Sequence, residues 1–164
     1  MTTHRISLTD PRVLCVLVGL ALAAFASNVS AHCQVPCGIY TDQLRFEQML
    51  EDQTTIAKAI AQIHELAGKT DATSANQLAR WIATKDEHAT HTQNIIAQYF
   101  MTQQIKASDT EGYTKKLSAA HAVLVAAMKT KQGADADTAV ALREAILDFY
   151  RAYEGKDPKK HLQG

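Results

Sequence analysis

Four stretches of this chain repeat their apolar residues every three or four positions, and this periodicity constrains the fold more strongly than any other feature. Such spacing puts the apolar side chains on one face of an α-helix. Only 7 glycines and 3 prolines occur among 164 residues. An all-β chain, with a turn about every 8–12 residues, would need many more turn-forming residues. The sequence therefore predicts an all-α protein.

Turn and capping residues divide the pattern into four helices. A polar turn over residues 69–74 separates the first helix from the second, which is predicted over residues 74–106. The residues predicted to cap or end the other helices are Gly68, Asp109, Gly133, Asp135 and Gly155. Four amphipathic helices with short polar loops predict an antiparallel up-down four-helix bundle over residues 41–155. A flexible tail is predicted over residues 156–164.

The apolar positions also predict which face of each helix is buried. The positions expected to face the core are Met49, Ile56, Ile60, Ile63 and Ala67 in the first helix, Leu78, Trp81, Ile82, Ile95, Ile96, Tyr99 and Phe100 in the second, Tyr113, Leu117, Leu124 and Met128 in the third, and Leu142, Ile146, Phe149 and Tyr153 in the fourth. Together they are enough for one modest core, and hence for a single domain.

A removable leader is predicted over residues 1–31. An apolar run over residues 13–26 follows two arginines, and Val29 and Ala31 occupy the −3 and −1 positions of a cleavage site before His32. A membrane anchor is the less favoured alternative, because the run is shorter than the ~20 residues that a transmembrane helix needs. We therefore expect export to the periplasm or the extracellular space, with no stable membrane association after cleavage.

Cleavage at this site would create the N-terminus HCQVPCGIY, which concentrates metal-binding groups. His32 then offers an α-amine and an imidazole, both of which lose a proton near neutral pH. Cys33 and Cys37 add two thiolates, and Cys33 also contributes a backbone amide. Pro36 and Gly38 favour a tight turn that brings both sulfurs to the same ion. A nearly planar set of nitrogens and thiolates suits Ni(II) or Cu(II).

Two other interpretations compete with an irregular metal-binding hook over residues 32–40. A disulfide between Cys33 and Cys37 is plausible in an oxidising compartment. However, it would close too small a loop to add much stability, and it leaves the histidine at the cleavage site unexplained. Elsewhere, His88 and His91 lie one helical turn apart and could share a metal, although a solvated polar helix face is the favoured interpretation.

Other common functions of helical proteins are excluded by the sequence. No Glu or Asp is followed three residues later by His, so the ferritin-like di-iron motif is absent. The chain also lacks the C-x-x-C-H motif of covalently bound haem. Basic and acidic residues number 17 each, which gives no support for the basic surface that nucleic-acid binding requires.

The processed terminus resembles the nickel hook of nickel-containing superoxide dismutases, whose mature chains begin H-C-x-x-P-C-G-x-Y. The six residues that match the fixed positions are His32, Cys33, Pro36, Cys37, Gly38 and Tyr40. The stretches NQLARW and QYFMTQ resemble the second helix of the family. The family fold is a four-helix bundle, which agrees with the periodicity.

The resemblance implies roles for individual residues. The amine and imidazole of His32, the amide nitrogen and sulfur of Cys33, and the sulfur of Cys37 would bind one nickel ion per subunit. Tyr40 and Tyr99 match the two tyrosines that border the substrate channel. Ordinary core packing is the alternative role for both tyrosines.

Glu47 resembles the glutamate that orients the hook histidine in this family. It lies one residue closer to Tyr40 than in some members, and an exposed helix face is the alternative. The family pairs this glutamate with an arginine that has no clear equivalent here. Lys85 is the nearest candidate for that partner.

The implied function is conversion of superoxide to oxygen and hydrogen peroxide by cycling between Ni(II) and Ni(III). The family assembles as homohexamers. A maturation peptidase is also implied, because the nitrogen of His32 is an amide until the leader is removed. Two alternatives remain. One is an exported nickel- or copper-binding carrier without dismutase activity, and the other is a helical interaction module with a terminal disulfide.

Overall fold

The structure is a computed structural model of the chain, and it describes residues 39–159. The predicted leader and the predicted metal ligands lie outside the described residues. The tail is described only as far as residue 159, where Pro158 is buried.

The described residues form four α-helices and no strand, as the sequence predicts. The helices, labelled here in chain order, are α1 (Asp42–Leu66), α2 (Ala72–Asn94), α3 (Tyr113–Gln132) and α4 (Ala136–Glu154). Each consecutive pair packs together, and α1 also packs against α4. Short connections between consecutive helices make these neighbours antiparallel, so the four helices close into an up-down bundle.

Side-chain caps begin three of the helices. The side chain of Thr41 accepts a hydrogen bond from the backbone N–H of Leu44 at the start of α1. Asp71 caps α2 in the same way. At α4, Asp135 is the N-cap and Gly155 ends the helix in the left-handed conformation, with φ of 70°. The predictions for Asp135 and Gly155 are confirmed.

Asp109 does not cap α3, and this prediction is wrong. The helix begins at Tyr113, with Gly112 in the N-cap position and no side-chain cap. Asp109 instead closes the preceding turn, where its carboxylate accepts from the backbone N–H of Gly112 at 3.0 Å and from Lys116 at 2.7 Å. A β-carbon on Gly112 would lie 2.5 Å from Asp109 Oδ2. A larger residue at this position would therefore displace the Asp109 carboxylate.

The second helix is not a uniform α-helix to residue 106 as predicted. From Ile95 to Gln104 it continues as a π-helix, in which the N–H of Ile105 bonds to the carbonyl of Phe100. Hydrophobic periodicity could not reveal this change. The positions of apolar residues do not show whether a backbone N–H bonds to the carbonyl four or five residues earlier. The wider turn keeps Ile96, Tyr99 and Phe100 in the core together, and π-segments are frequent at functional sites.

Aromatic rings fill the centre of the bundle at the end where α1 begins. The ring centroids of Phe46 and Phe100 lie 4.9 Å apart, and those of Phe100 and Phe149 also lie 4.9 Å apart with the rings nearly perpendicular. These separations are in the range that favours aromatic pairs. The cluster joins α1, the π-segment and α4 immediately behind Tyr40.

Three residues predicted to face the core are exposed instead. Ala67 lies at the end of α1, and Ile82 and Met128 are 43% and 42% exposed. On α3 the buried stripe consists mainly of small residues, Ala120 and Ala127 among them. Small side chains let α3 approach its neighbours closely, and the rotation that buries them turns Met128 outward. No helix within residues 39–159 is long and apolar enough to cross a membrane.

Candidate active site

The structure brings together the two tyrosines for which the family resemblance implies a place at the substrate channel. Tyr40 precedes α1 and Tyr99 lies in the π-segment, yet their ring centroids are 6.4 Å apart. The hydroxyl of Tyr99 donates to the carbonyl of Tyr40 at 3.4 Å. Tyr40 is 39% exposed, whereas Tyr99 is only 5% exposed. One ring therefore faces solvent and the other lies in the core directly beneath it.

Asp42 connects this tyrosine pair to the opposite side of the bundle. Its Oδ1 accepts from the Tyr99 hydroxyl at 2.6 Å, and its Oδ2 accepts from the Tyr153 hydroxyl at 2.8 Å. Burial, followed by the hydrogen bond to Asp42, raises the pKa of Tyr153 far above its usual value. Both phenols donate to the same carboxylate. Sequence reasoning missed Asp42, because an acidic residue in a first helical turn is unremarkable.

A guanidinium group also lies at the tyrosine pair. The Arg45 Cζ atom is 3.7 Å from the centroid of the Tyr40 ring and 5.4 Å from that of Tyr99. Its Nη1 donates to Gln48 Oε1 at 2.7 Å. Its Nε is buried and has no hydrogen-bond partner among the described residues. No sequence motif distinguishes this arginine from an ordinary helix-surface charge.

Glu47 and Lys85 do not form the pair that the resemblance suggested. Glu47 accepts from Gln43 at 3.1 Å, whereas the ammonium of the buried Lys85 donates to Asp86 and to the carbonyl of Thr130. Along the bundle axis, Glu47 lies on one side of Asp52 and Lys85 lies on the other. The rise per residue of the two helices makes them about 14 Å apart along this axis. Lys85 therefore anchors α2 to the end of α3.

His88 and His91 are not simply a solvated polar face. Their Nδ1 atoms lie 2.7 Å from Oδ1 and Oδ2 of Asp52, whose side chain is only 5% exposed. Thr92 donates a third hydrogen bond to this carboxylate. Because an ionised carboxylate only accepts, both imidazoles carry hydrogen on Nδ1. The cluster ties α1 to α2 and is a structural contact, which the sequence could not show.

The donors proposed for nickel, in His32, Cys33 and Cys37, lie outside the described residues, as do the predicted turn residues Pro36 and Gly38. Residues 39–159 contain no group of three or more His, Cys, Asp and Glu side chains arranged to hold a metal ion. The chemistry of the hook donors fits nickel, since thiolates with an amine, an amide and an imidazole suit tetragonal Ni(II). Cys37 precedes Tyr40 by three positions in the sequence.

Comparison with known proteins identifies a family. The family model described as nickel-containing superoxide dismutase matches residues 27–157, which is most of the chain. The match covers the hook segment, the tyrosine pair and all four helices. Searches of curated proteins and of solved structures return no match.

Proposed function

Because this chain belongs to the family of nickel-containing superoxide dismutases, we propose that it dismutates superoxide at a nickel ion bound by the N-terminus that processing creates at His32. The ligands would be the amine and imidazole of His32, the amide nitrogen and sulfur of Cys33, and the sulfur of Cys37, with one ion per subunit. When bound, the nickel supplies the one-electron chemistry by alternating between two oxidation states. Among the described residues, the contact between Tyr40 and Tyr99 is the observation that best supports the proposal.

The tyrosine pair supports a substrate site next to the hook. Tyr40 follows Cys37 by three positions in the sequence, whereas Tyr99 comes from the π-segment and still contacts Tyr40. The partly exposed ring of Tyr40 contacts solvent, from which the two protons needed for hydrogen peroxide can enter. The hydroxyl of Tyr99 is held in place by Asp42. The chain thus orients one phenol and leaves the other accessible.

Export and assembly form part of the proposal. The leader has the features of an export signal, and its removal by a peptidase would convert the amide of His32 into an amine ligand. We also propose a homohexamer in which neighbours cover the hook, and the exposed apolar residues near the start of α1 support it. Ile39 and Leu44 are 60% and 44% exposed, and apolar groups clustered at a surface favour subunit contacts.

A matched pair of chains tests the role of the processed terminus. One begins at His32 and the other keeps Ala31 in front of it, and both are loaded with nickel. We expect superoxide dismutation from the first and none from the second, because the second lacks the free amine. Nickel binding without activity in both chains would refute the dismutase proposal and favour the metal-carrier alternative. Equal activity in both would refute the requirement for the amine.

A further inference from the structure

We propose that Arg45 is the anion-binding residue of this site, which attracts superoxide to the tyrosine pair and lets the neutral products leave. The inference rests on the proposed function, because it assigns a substrate to the same site. It concerns a residue outside the hook motif, and three separate observations on the guanidinium support it.

The first observation is the position of the charge. Arg45 lies one turn into α1, and its Cζ is within 5.4 Å of both tyrosine ring centroids. Stacking on the Tyr40 ring at 3.7 Å holds the planar group in one orientation. The N-terminal end of α1 adds a partial positive charge at the same place. An anion that approaches Tyr40 therefore meets a fixed cation.

The second observation is that no described carboxylate pairs directly with this cation. Among residues 39–159, no carboxylate lies within ion-pair distance of Arg45, and its one side-chain partner is the uncharged amide of Gln48. Arg151, in contrast, is bridged by Asp148 at 2.6 Å and by Asp157 at 3.3 Å. A guanidinium without a carboxylate partner keeps its attraction for a diffusing anion.

The third observation is an unused hydrogen-bond donor. The Nε–H of Arg45 is buried and has no partner in the described residues. Leaving a buried donor unpaired destabilises the folded protein, and such groups are rare in folded proteins. A small anion that accepts this hydrogen bond would remove the cost. The donor is therefore unused by the described chain and could bond to a small anion that displaces the groups covering it.

Superoxide matches these requirements by size and charge. It is a diatomic monoanion that can accept from Nε–H and from a neighbouring guanidinium nitrogen at once, in the manner of other bidentate anions. Oxygen and hydrogen peroxide are both neutral at physiological pH, so neither product keeps this attraction. The same residue would thus favour entry of the substrate over retention of the products.

Direct binding is tested with azide, a small linear monoanion, and does not depend on turnover. The nickel-loaded protein beginning at His32 is labelled with ¹⁵N-arginine, and azide is added while the Nε–H resonances are recorded by NMR. We expect a saturable shift of the Arg45 resonance and none for Arg151. A flat Arg45 resonance, or a shift that chloride produces equally for both arginines, would overturn the inference.

Kinetics supply the second readout. Arg45→Gln should lower kcat/KM for superoxide by about ten-fold and weaken its dependence on ionic strength, while Arg45→Lys should retain part of both. Arg151→Gln is the control and should change neither. If wild-type protein is inactive, the proposed function fails, but the azide titration still decides for or against the anion site. If wild-type protein is active and Arg45→Gln is equally active and equally salt-dependent, only the Arg45 inference fails.

Discussion

The hydroxyl of Tyr99 donates a hydrogen bond to Asp42 Oδ1 at 2.6 Å, and through this bond the π-helical end of α2 is joined to the first residue of α1. The other oxygen of Asp42 accepts from Tyr153 on α4. One carboxylate therefore sets the relative positions of three elements directly behind Tyr40. We therefore expect the position of Tyr40 to depend on this junction.

Replacement of Tyr99 by phenylalanine tests the junction. The ring would stay in the core, but Asp42 would lose one of its two phenol donors. We expect a loss of about 1–2 kcal/mol in the free energy of unfolding, since bonds to charged groups are worth more than neutral ones. Superoxide turnover should also fall, because the segment bearing Tyr40 is less firmly held. Urea denaturation and turnover of the nickel-loaded protein measure the two effects.

The matched control for this variant is Tyr113→Phe on α3. Tyr113 is partly buried and packs against the core, but it lies outside the Asp42 junction. A loss of stability in Tyr113→Phe equal to that in Tyr99→Phe would show that the junction has no special role.

The second prediction concerns stability at alkaline pH. Burial and the hydrogen bond to Asp42 raise the folded-state pKa of Tyr153 above the value of 10.0 for an unperturbed tyrosine. The unfolded chain therefore releases this proton first as pH rises. The contribution of Tyr153 to stability is complete below about pH 10, and it is lost progressively as pH rises toward the folded-state pKa.

Urea denaturation from about pH 8 to pH 11 measures this contribution. Tyr153→Phe cannot ionise, so its stability should fall less steeply above about pH 10 than that of the wild type. Asp42→Asn should shift the onset of tyrosinate absorbance from Tyr153 to lower pH. Burial remains in that variant, so the pKa should stay above the usual value. Parallel pH profiles for wild type and Tyr153→Phe would contradict the prediction.

The third prediction concerns the buried carboxylate of Asp52. An amide in Asp52→Asn would direct one of its N–H groups at an imidazole Nδ1–H, so a donor would face a donor. We expect a loss of about 2–4 kcal/mol in unfolding free energy, because a buried charged acceptor with three donors is removed. Asp148→Asn, at a well-exposed position, should change stability by about 0.5 kcal/mol or less.

Nickel content separates a structural role of Asp52 from a role in the site. Asp52 lies about 15 Å along α1 from Asp42, so Asp52→Asn should bind as much nickel per chain as the wild type at a temperature where both are folded. Metal analysis after gel filtration gives this ratio. A folded Asp52→Asn protein with reduced nickel would show that the cluster reaches the metal site.

The fourth prediction concerns the hook ligands. Cys37→Ser should abolish tight nickel binding, because a serine hydroxyl does not supply the thiolate that suits nickel at neutral pH. The helical bundle should remain folded, since the described core lies within residues 39–159. Circular dichroism and metal analysis report the two properties. Retention of one nickel per chain in Cys37→Ser would contradict the proposed ligand set.

Much of this protein was predictable from sequence because the signals are local. Hydrophobic periodicity predicted four helices, and Asp135 and Gly155 marked the ends of α4 because capping depends on neighbouring residues. The resemblance at residues 32–40 predicted the family that the family model then identified. The prediction for Asp109 was wrong because an aspartate side chain can accept a backbone N–H in a turn as readily as at the start of a helix.

Tertiary structure alone decided the contacts between helices. Asp42 forms a hydrogen bond with Tyr153, which is 111 positions away in the sequence, and Asp52 forms one with His88, which is 36 positions away. Such pairs depend on the axial rotation and register of packed helices. A pattern of apolar residues contains little information on either. The same holds for Arg45, whose charge is visible in the sequence but whose stacking on Tyr40 is not. By itself, the sequence determined the helices and the family, because both depend on patterns among neighbouring residues, whereas side-chain packing between distant residues decided the surroundings of Tyr40.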